Sequence, residues 1–255
     1  MNLRAITANL GGGGPTATSY KTAADEWAEH VRQEKTLDLL FVQEVHDKDW
    51  LDAWRADAWH VVVGSGPVYK PRSAIIANFP IKSVSYSTSE YHGSYVAVAR
   101  SEPGAADACF FASVHASPTP LNEGWLERWD ACGLLRPEPR TGGYLWDSDL
   151  VLESMRSLAA HTPLIIAGDW NEARGWDVDH GGVWGAQFFE RVALAGFVDC
   201  AHREWGVEKP THGTYQLDHV FASKNVASQI NVDPQLGEMI ADHASISFEI
   251  SLHDN

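Results

Sequence analysis

The chain has 255 residues, 44% hydrophobic and 21% charged, with a formal net charge of −15. That length buries a substantial core without staples, and the charge argues against a stoichiometric coat on a polyanion, which needs a basic face. No run approaches the roughly 20 apolar residues that span a bilayer, and the three widely spaced cysteines, Cys109, Cys132 and Cys200, form neither a zinc motif nor a disulfide framework.

The N-terminal MNLRAITANL enters a strand, Leu3–Asn9, without the basic start and long apolar stretch of a signal peptide. The expectation is a cytoplasmic protein, or a secreted one whose leader has been removed. Gly11–Gly14 reads as a flexible turn, since it lacks the Gly-Lys-Ser/Thr of a phosphate-binding loop. A helix follows over Tyr20–Lys35, with Ala23, Ala24, Trp27 and Val31 as its apolar stripe. Strand Asp38–Gln43, helix Asp47–Ala58 and strands His60–Val63 and Ser73–Ala77 come next. Tyr95–Ala99 and Ala108–Val114 flank SEPGAAD as a hairpin. Ser117–Asp147, rich in Pro, Gly and Trp, reads as a long irregular stretch of the kind that is functional or mobile. Helix Ser148–His161 stops before Pro163, then come strand Pro163–Ala167, helix Gly185–Ala195 and strand Gln216–Ala222. Ser245–Leu252 alternates as a half-exposed strand does. The order predicts one α/β or α+β domain over 1–255, two sheets packed together with helices outside.

Six β-type runs end on polar residues suited to a phosphate: Asn9, Gln43-Glu44, His115, Asp169 with Asn171, Asp218, and Asp242-His243. Each alone has an ordinary structural explanation, such as a surface carboxylate, an Asx-turn or a structural histidine. Together they supply carboxylates for a hard divalent cation, histidines for proton transfer and amides to position oxygens. Trp170 is expected to pack beneath that site. No nucleophile elbow and no HExxH motif is present, so GDWN does not signal an esterase or protease.

In this order the six stretches resemble the endonuclease/exonuclease/phosphatase superfamily, which includes DNase I-like nucleases, abasic-site endonucleases, sphingomyelinases and inositol polyphosphate 5-phosphatases. QE at Gln43-Glu44, GDWN at Gly168–Asn171, LDHVF around Asp218, DH at Asp242-His243 and Pro-Thr before Thr211's strand carry the resemblance over nearly the whole chain. VQEV and VHASP are most similar to DNase I and the DNase-like cytolethal toxin subunit. The resemblance implies a four-layered αββα sandwich. It implies Mg²⁺ or Mn²⁺ held by Glu44 with Asn9 beside it and Asp242 contributing. It further implies Asp169 and Asn171 aligning water and phosphate, Asp218 pairing with His243, and His115 and His243 binding the scissile phosphate and moving protons. Two positions depart from the family pattern. Ala8 stands where Trp usually precedes the first Asn, and Pro71 in VYKPR stands where the DNase I branch has a Glu supporting the first histidine, leaving His115 without that partner or with Glu90 in its place.

For substrate, the first expectation is DNA, cut by a metal-dependent endonuclease, with Lys21, Lys70, Arg72 and Arg174 as a basic rim, Tyr69 stacking and Thr211 at the phosphate. The second is a small-molecule or lipid-linked phosphate, with Trp125, Trp129 and Trp146 forming a lid, a pocket wall or a satellite core. The third is an inactive binding module on the same fold, disfavoured because the metal and proton-transfer residues are all present.

Overall fold

The computed structural model describes residues 2–11, 17–45, 48–65, 72–102, 109–160 and 162–252. Its strands in chain order are β1 Asn2–Asn9, β2 Leu39–Val45, β3 His60–Val63, β4 Arg72–Ala77, β5 Ile81–Ser83, β6 Val96–Ser101, β7 Phe110–His115, β8 Leu164–Asp169, β9 Phe197–Asp199, β10 Asp218–Ser223, β11 Ile230–Val232 and β12 Ile246–Ser251. The helices are α1 Ala17–Glu34, α2 Lys48–Ala56, α3 Ser89–His92, α4 Glu123–Asp130, α5 Asp147–Ala159, α6 Trp176–His180, α7 Trp184–Leu194, α8 Cys200–Trp205 and α9 Lys224–Ala227.

Two six-stranded sheets result, ordered β11-β12-β1-β2-β4-β3 and β5-β6-β7-β8-β10-β9. Each contains one parallel pair, β1 with β2 and β7 with β8, and antiparallel neighbours elsewhere. A parallel pair requires a crossover, and here the crossovers carry α1 in one sheet and α4 and α5 in the other. Both pairs therefore run toward the same kind of end: Asn9 lies opposite Gln43, and His115 opposite Asp169. In β10, which runs antiparallel to β8, the first residue, Asp218, meets Asp169.

The inner faces of the sheets share a core. Leu3, Ala5, Leu39, Phe41 and Ile75 from the first pack with Phe111, Ile165, Ala167 and Val220 from the second. The outer face of the first sheet packs on α1 and α2 through Trp27, Val31, Trp50 and Trp54, and that of the second on α5 and α7 through Met155, Phe188 and Val192. This is the expected four-layered arrangement. Central strands are buried on both faces, so Leu39-Leu40-Phe41-Val42 is continuously apolar, while β12 keeps Glu249 exposed and alternates.

Strands β5, β9 and β11 have three residues each, too few to show a period, and were not predicted. Each lies at a sheet edge. The stretch 117–147, expected to be irregular, contains α4, whose N-cap Asn122 accepts from the Trp125 N–H. Trp129 is completely buried in a satellite core with Tyr91 and Leu150, whereas Trp146 lies against Trp184 and Trp125 stays part exposed. Among the described residues no helix is long and apolar enough to cross a membrane.

Gly168 is what lets β8 lie against the end of β7. Its φ is +146°, and a Cβ there would meet the Val114 carbonyl oxygen at 2.1 Å. Gly168→Ala is expected to cost about 3 kcal/mol, combining backbone strain with overpacking. Urea denaturation checks this, and a loss below about 1 kcal/mol would show that the β7–β8 register yields easily.

Candidate active site at the shared end of the two sheets

At the end of β8, one carboxylate oxygen is met by the ends of β1 and β7 and by the stretch before β12. Asp169 Oδ2 accepts from Asn9 Nδ2 at 3.0 Å, and lies 3.8 Å from His115 Nε2 and 3.9 Å from His243 Nε2. Its other oxygen, Oδ1, accepts the Asn171 N–H at 2.9 Å. Asn171 takes a left-handed φ of +50°, which Asn tolerates better than most residues, and its Nδ2 donates to the Ala116 carbonyl at 2.8 Å. The loop after β8 is thus fastened to the end of β7. Trp170 turns inward against Phe188 and Phe221, packing under the site as expected.

Glu44 reaches the cluster through a backbone irregularity. The β2–β4 register shifts between Val42 and Val45, and Glu44 adopts φ +51°. A Glu has no local means of favouring that conformation, and such strain of order 1–3 kcal/mol persists where the surroundings over-determine it. The carboxylate then lies 3.4 Å from both Asn9 Nδ2 and His115 Nε2. Beneath it, buried Gln43 donates to Ser113 Oγ at 2.9 Å, and Ser113 donates to the Val42 carbonyl, tying the two sheets together under the site. Gln43 stood in a recognised motif, but this cross-sheet role has no signature in sequence.

His243 and Asp218 form the second half of the cluster, with Nδ1 to Oδ2 at 2.8 Å. Burial opposes protonation of His243, but the Asp218 charge and hydrogen bond, with help from Asp169 and Asp242, raise its pKa to about 10. Burial would raise Asp218, yet the charge and hydrogen bond of His243 hold it below the usual carboxylate value. Asp169 is shifted the other way: burial and the Asp218 charge raise it, against the pull of His243 and His115. Two neighbouring carboxylates are therefore pushed apart, Asp218 toward the ionised form and Asp169 toward a more basic one.

The titration of this pair predicts a pH dependence of stability. His243's folded pKa lies above its unfolded value of about 6.5, so its contribution is complete below that pH and disappears as pH rises through about 10. Asp218's lowered pKa adds stability that is present above its unfolded value and lost as pH falls through the folded one. Raised Asp169 works against this gain as it ionises. Between pH 7 and 10 unfolding free energy is expected to fall by up to about 1.4 kcal/mol per pH unit. Asp218→Asn should flatten that limb in urea titrations, and an equal slope in both proteins would contradict the pairing.

Several expected contacts come out differently. Asn9 presents its NH₂ to the carboxylates while Oδ1 accepts the Gly11 N–H at 3.0 Å, so Glu44 is the better placed metal-ligand candidate. Asp242, which the resemblance implied both as a metal ligand with Asn9 and Glu44 and beside Asp218 around His243, groups with His212 and His243, its carboxylate 3.6 Å from His212 Nε2. His212 stacks on His243 with ring centroids 4.6 Å apart; the sequence singled out Thr211 in PTHG and passed over its neighbour. Thr211, expected at the phosphate, is buried, and its hydroxyl accepts the Leu217 and Asp218 N–H groups, holding the start of β10. Arg174, expected on the basic rim, bonds Asp199 at 2.9 Å, lies 3.8 Å from Glu208 and stacks on Phe189. Its charge is already used inside the fold. Arg72 opens β4 opposite Val45, beside Glu44 in sequence order of the bulge. Lys21 lies 3.9 Å from Asp25. Tyr69, Lys70, Pro71 and Gly12–Gly14 fall outside the described residues. His115 has no Glu90 partner: its Nδ1 is buried without a hydrogen bond among the described residues.

No curated protein matches the sequence. Solved structures do match over nearly the full length. The endonuclease domain of TRAS1, a telomere-specific non-LTR retrotransposon, aligns at 14% identity and TM-score 0.63, covering 99% of this chain and 100% of that one. The 3′ phosphatase NExo from Neisseria, bound to a product DNA hairpin, aligns at 14% identity and TM-score 0.65, covering 98% and 99%. An AP endonuclease from Archaeoglobus fulgidus aligns at 14% identity and TM-score 0.66, covering 96% and 98%. At these identities the likeness establishes a shared fold. The model of the endonuclease/exonuclease/phosphatase family matches residues 6–243, a span holding Asn9, Glu44, His115, Asp169, Asp218 and His243, and the chain belongs to that family.

Proposed function

We propose that the protein is a divalent-metal-dependent phosphoesterase that hydrolyses phosphodiester bonds, with DNA as its first candidate substrate and internal cleavage as the expected mode. The observation that carries this is the meeting of Asn9, His115 and His243 at a single oxygen of buried Asp169. A purely structural carboxylate does not need two histidines and an amide converging from both sheets.

The donors suit a hard cation. Glu44 offers carboxylate oxygens, and Asn9 offers an amide oxygen once its side chain turns over. Glu44, Asp169 and Asp218 bring three carboxylates together, which Mg²⁺ or Mn²⁺ would help to offset. Bound there, the cation would neutralise charge on the phosphate and on the departing oxygen. The protein's own groups would do the rest. Asp169, made more basic by burial and by Asp218, takes the proton of the attacking water at Oδ2, while Asn171 fixes Oδ1. His115 Nε2 donates to a phosphate oxygen. Protonated His243, held at Nδ1 by Asp218, presents Nε2 to the phosphate and gives its proton to the departing oxygen as the P–O bond breaks.

A DNA substrate is supported by the neighbours described as DNA-acting, and is checked by plasmid nicking with Mg²⁺, Mn²⁺ and EDTA. A small-molecule or lipid-linked phosphate is the second candidate, favoured by the internal ion pairs of Arg174, which withdraw one of the expected DNA contacts. Intact plasmid with metal-dependent cleavage of a simple diester would select it. An inactive binding module is disfavoured by the complete cluster. Glu44→Gln is expected to raise the half-activating Mg²⁺ concentration by about tenfold or more, since even indirect metal supports are worth about 10–100-fold. An unchanged Mg²⁺ requirement would remove Glu44 as a ligand.

A further inference from the structure

A cavity of about 290 Å³ opens beside His115, and the cluster described above does not account for it. Its walls come from the 91–95 stretch, from the residues after β7 and from the start of α4 and α5. Three aromatic side chains, Tyr91, Tyr95 and Trp125, face it. Tyr95 meets the His115 ring edge-on with centroids 5.8 Å apart, and Tyr91 meets Trp125 edge-on at 5.9 Å. These paired rings hold one another's planes and offer apolar faces to a flat group.

The polar side of the cavity is built as well. Tyr91 is more than nine-tenths buried, and its hydroxyl has no hydrogen-bond partner among the described residues. The Nδ1 of His115 is likewise buried and unpartnered. Both atoms lie behind the cavity wall rather than on it. Asp147 adds a carboxylate, one oxygen of which accepts the Ser117 N–H at 3.0 Å.

Charge and size restrict what can enter. No Lys or Arg belongs to the described lining, and Asp147 is its one carboxylate. The nearby Arg128 lies over the Trp125 ring, 4.5 Å from its centroid. With His115 engaged by the scissile phosphate, a second phosphate deeper in the cavity would face Asp147 with no Lys or Arg in the described lining to offset the repulsion. The volume lies at the small end of ligand pockets, which run from about 300 to 1,000 Å³, and suits a single ring group better than a stretch of polymer. The surrounding segment is firmly held: Asn122 caps α4, and Arg140 is buried among Asp149, Glu172 and Ser148.

Resting on the phosphoesterase reading, though not on internal DNA cleavage, in which every flanking nucleoside carries a second phosphate, we propose that this cavity binds the group esterified to the scissile phosphate on the His115 side, and that this group is an uncharged ring bearing no second phosphate. Asp147, Tyr91 and Trp125 are then specificity-determining residues. A nucleoside and a polyol ring share the required chemistry.

The test measures binding by calorimetry with Mg²⁺ present, using methyl phosphate, thymidine 5′-phosphate, thymidine 3′,5′-bisphosphate and myo-inositol 1-phosphate. In the wild-type protein at least one ring monophosphate is expected to bind at least tenfold more tightly than methyl phosphate, and which one does so separates nucleoside from polyol. The added 3′-phosphate is expected to weaken thymidine binding at least tenfold. Trp125→Ala should remove the ring advantage, and Asp147→Asn should reduce the bisphosphate penalty, with methyl phosphate binding unchanged in both. Tyr91→Phe, which keeps the ring, should lose only part of the advantage. Equal affinities for all four ligands, or ratios unmoved by Trp125→Ala and Asp147→Asn, would overturn the assignment. Hydrolysis of bis(p-nitrophenyl) phosphate is followed in parallel. Equal affinities with metal-dependent hydrolysis intact would reject the cavity and leave the phosphoesterase reading standing. Absence of hydrolysis with every metal would reject that reading, and this proposal with it.

Discussion

Replacing His243 with Ala is expected to lower kcat by about 10²- to 10⁴-fold on any diester the protein cleaves, the usual size of a lost proton-transfer group. The side chain spans the site. Its Nδ1 is fixed by Asp218 at 2.8 Å, and its Nε2 lies 3.9 Å from the Asp169 oxygen on which the cluster converges. With a pKa near 10, it remains an imidazolium through the neutral range and so acts as donor and acid. Its removal also leaves Asp218 buried beside Asp169 without its counter-charge, so some stability should be lost too. Thermal denaturation separates the two effects: a folded variant with full activity would remove His243 from the mechanism. Asp218→Asn should behave differently, because the imidazole remains but loses its ionised partner. Its alkaline activity limb should move to lower pH.

Arg140→Ala is expected to destabilise the fold by about 3–5 kcal/mol, the cost of leaving buried charges without their partner. The Arg140 side chain is fully buried. Its Nε donates to both oxygens of Asp149, Nη1 to Glu172 and the Trp184 carbonyl, and Nη2 to Ser148 and Glu172. Arg191 would still meet Asp149 at 3.1 Å, but Glu172 would lose its cation. Burial already raises the pKa of Glu172 against the pull of Arg140, so the abandoned carboxylate should hold a proton more readily still. Glu172 directly follows Asn171, and the loss should therefore reach the loop that steadies Asp169. Arg140→Lys should rescue little, since an ammonium cannot span both carboxylates with a planar fork. Urea denaturation measures the change, and a cost under about 1 kcal/mol would mean that the network adjusts around the gap.

The central strands were legible because they end abruptly. Leu39–Val42 and Leu164–Ala167 are apolar on both faces, and the polar residue that follows marks where each strand leaves the core. Asn9, Glu44, His115 and Asp169 are placed in this way, whereas Asp218, read as a run end, opens β10, and His243 lies in the stretch between β11 and β12 rather than at the end of a strand. Direction was harder to read than position. Thr211 and Arg174 occupy sensible places in the chain, but one hydroxyl holds β10 and one guanidinium serves Asp199, choices made by tertiary neighbours far away in sequence. Asp242 sits next to His243 in the chain yet turns to His212. Asp147 closed an apparently shapeless stretch, and nothing local distinguishes it from the other acidic residues around it. The backbone turn at Glu44 depends on a bulge between β2 and β4, which strand periodicity does not reveal.

The most direct test is the initial rate of bis(p-nitrophenyl) phosphate hydrolysis across a Mg²⁺ titration, with an EDTA arm and His243→Ala beside the wild type. The account predicts hydrolysis that rises with Mg²⁺, stops in EDTA and falls by at least about a hundredfold in the variant. Equal rates in Mg²⁺ and EDTA, or in the variant and the wild type, would contradict metal-assisted phosphodiester cleavage at the Asp169 cluster.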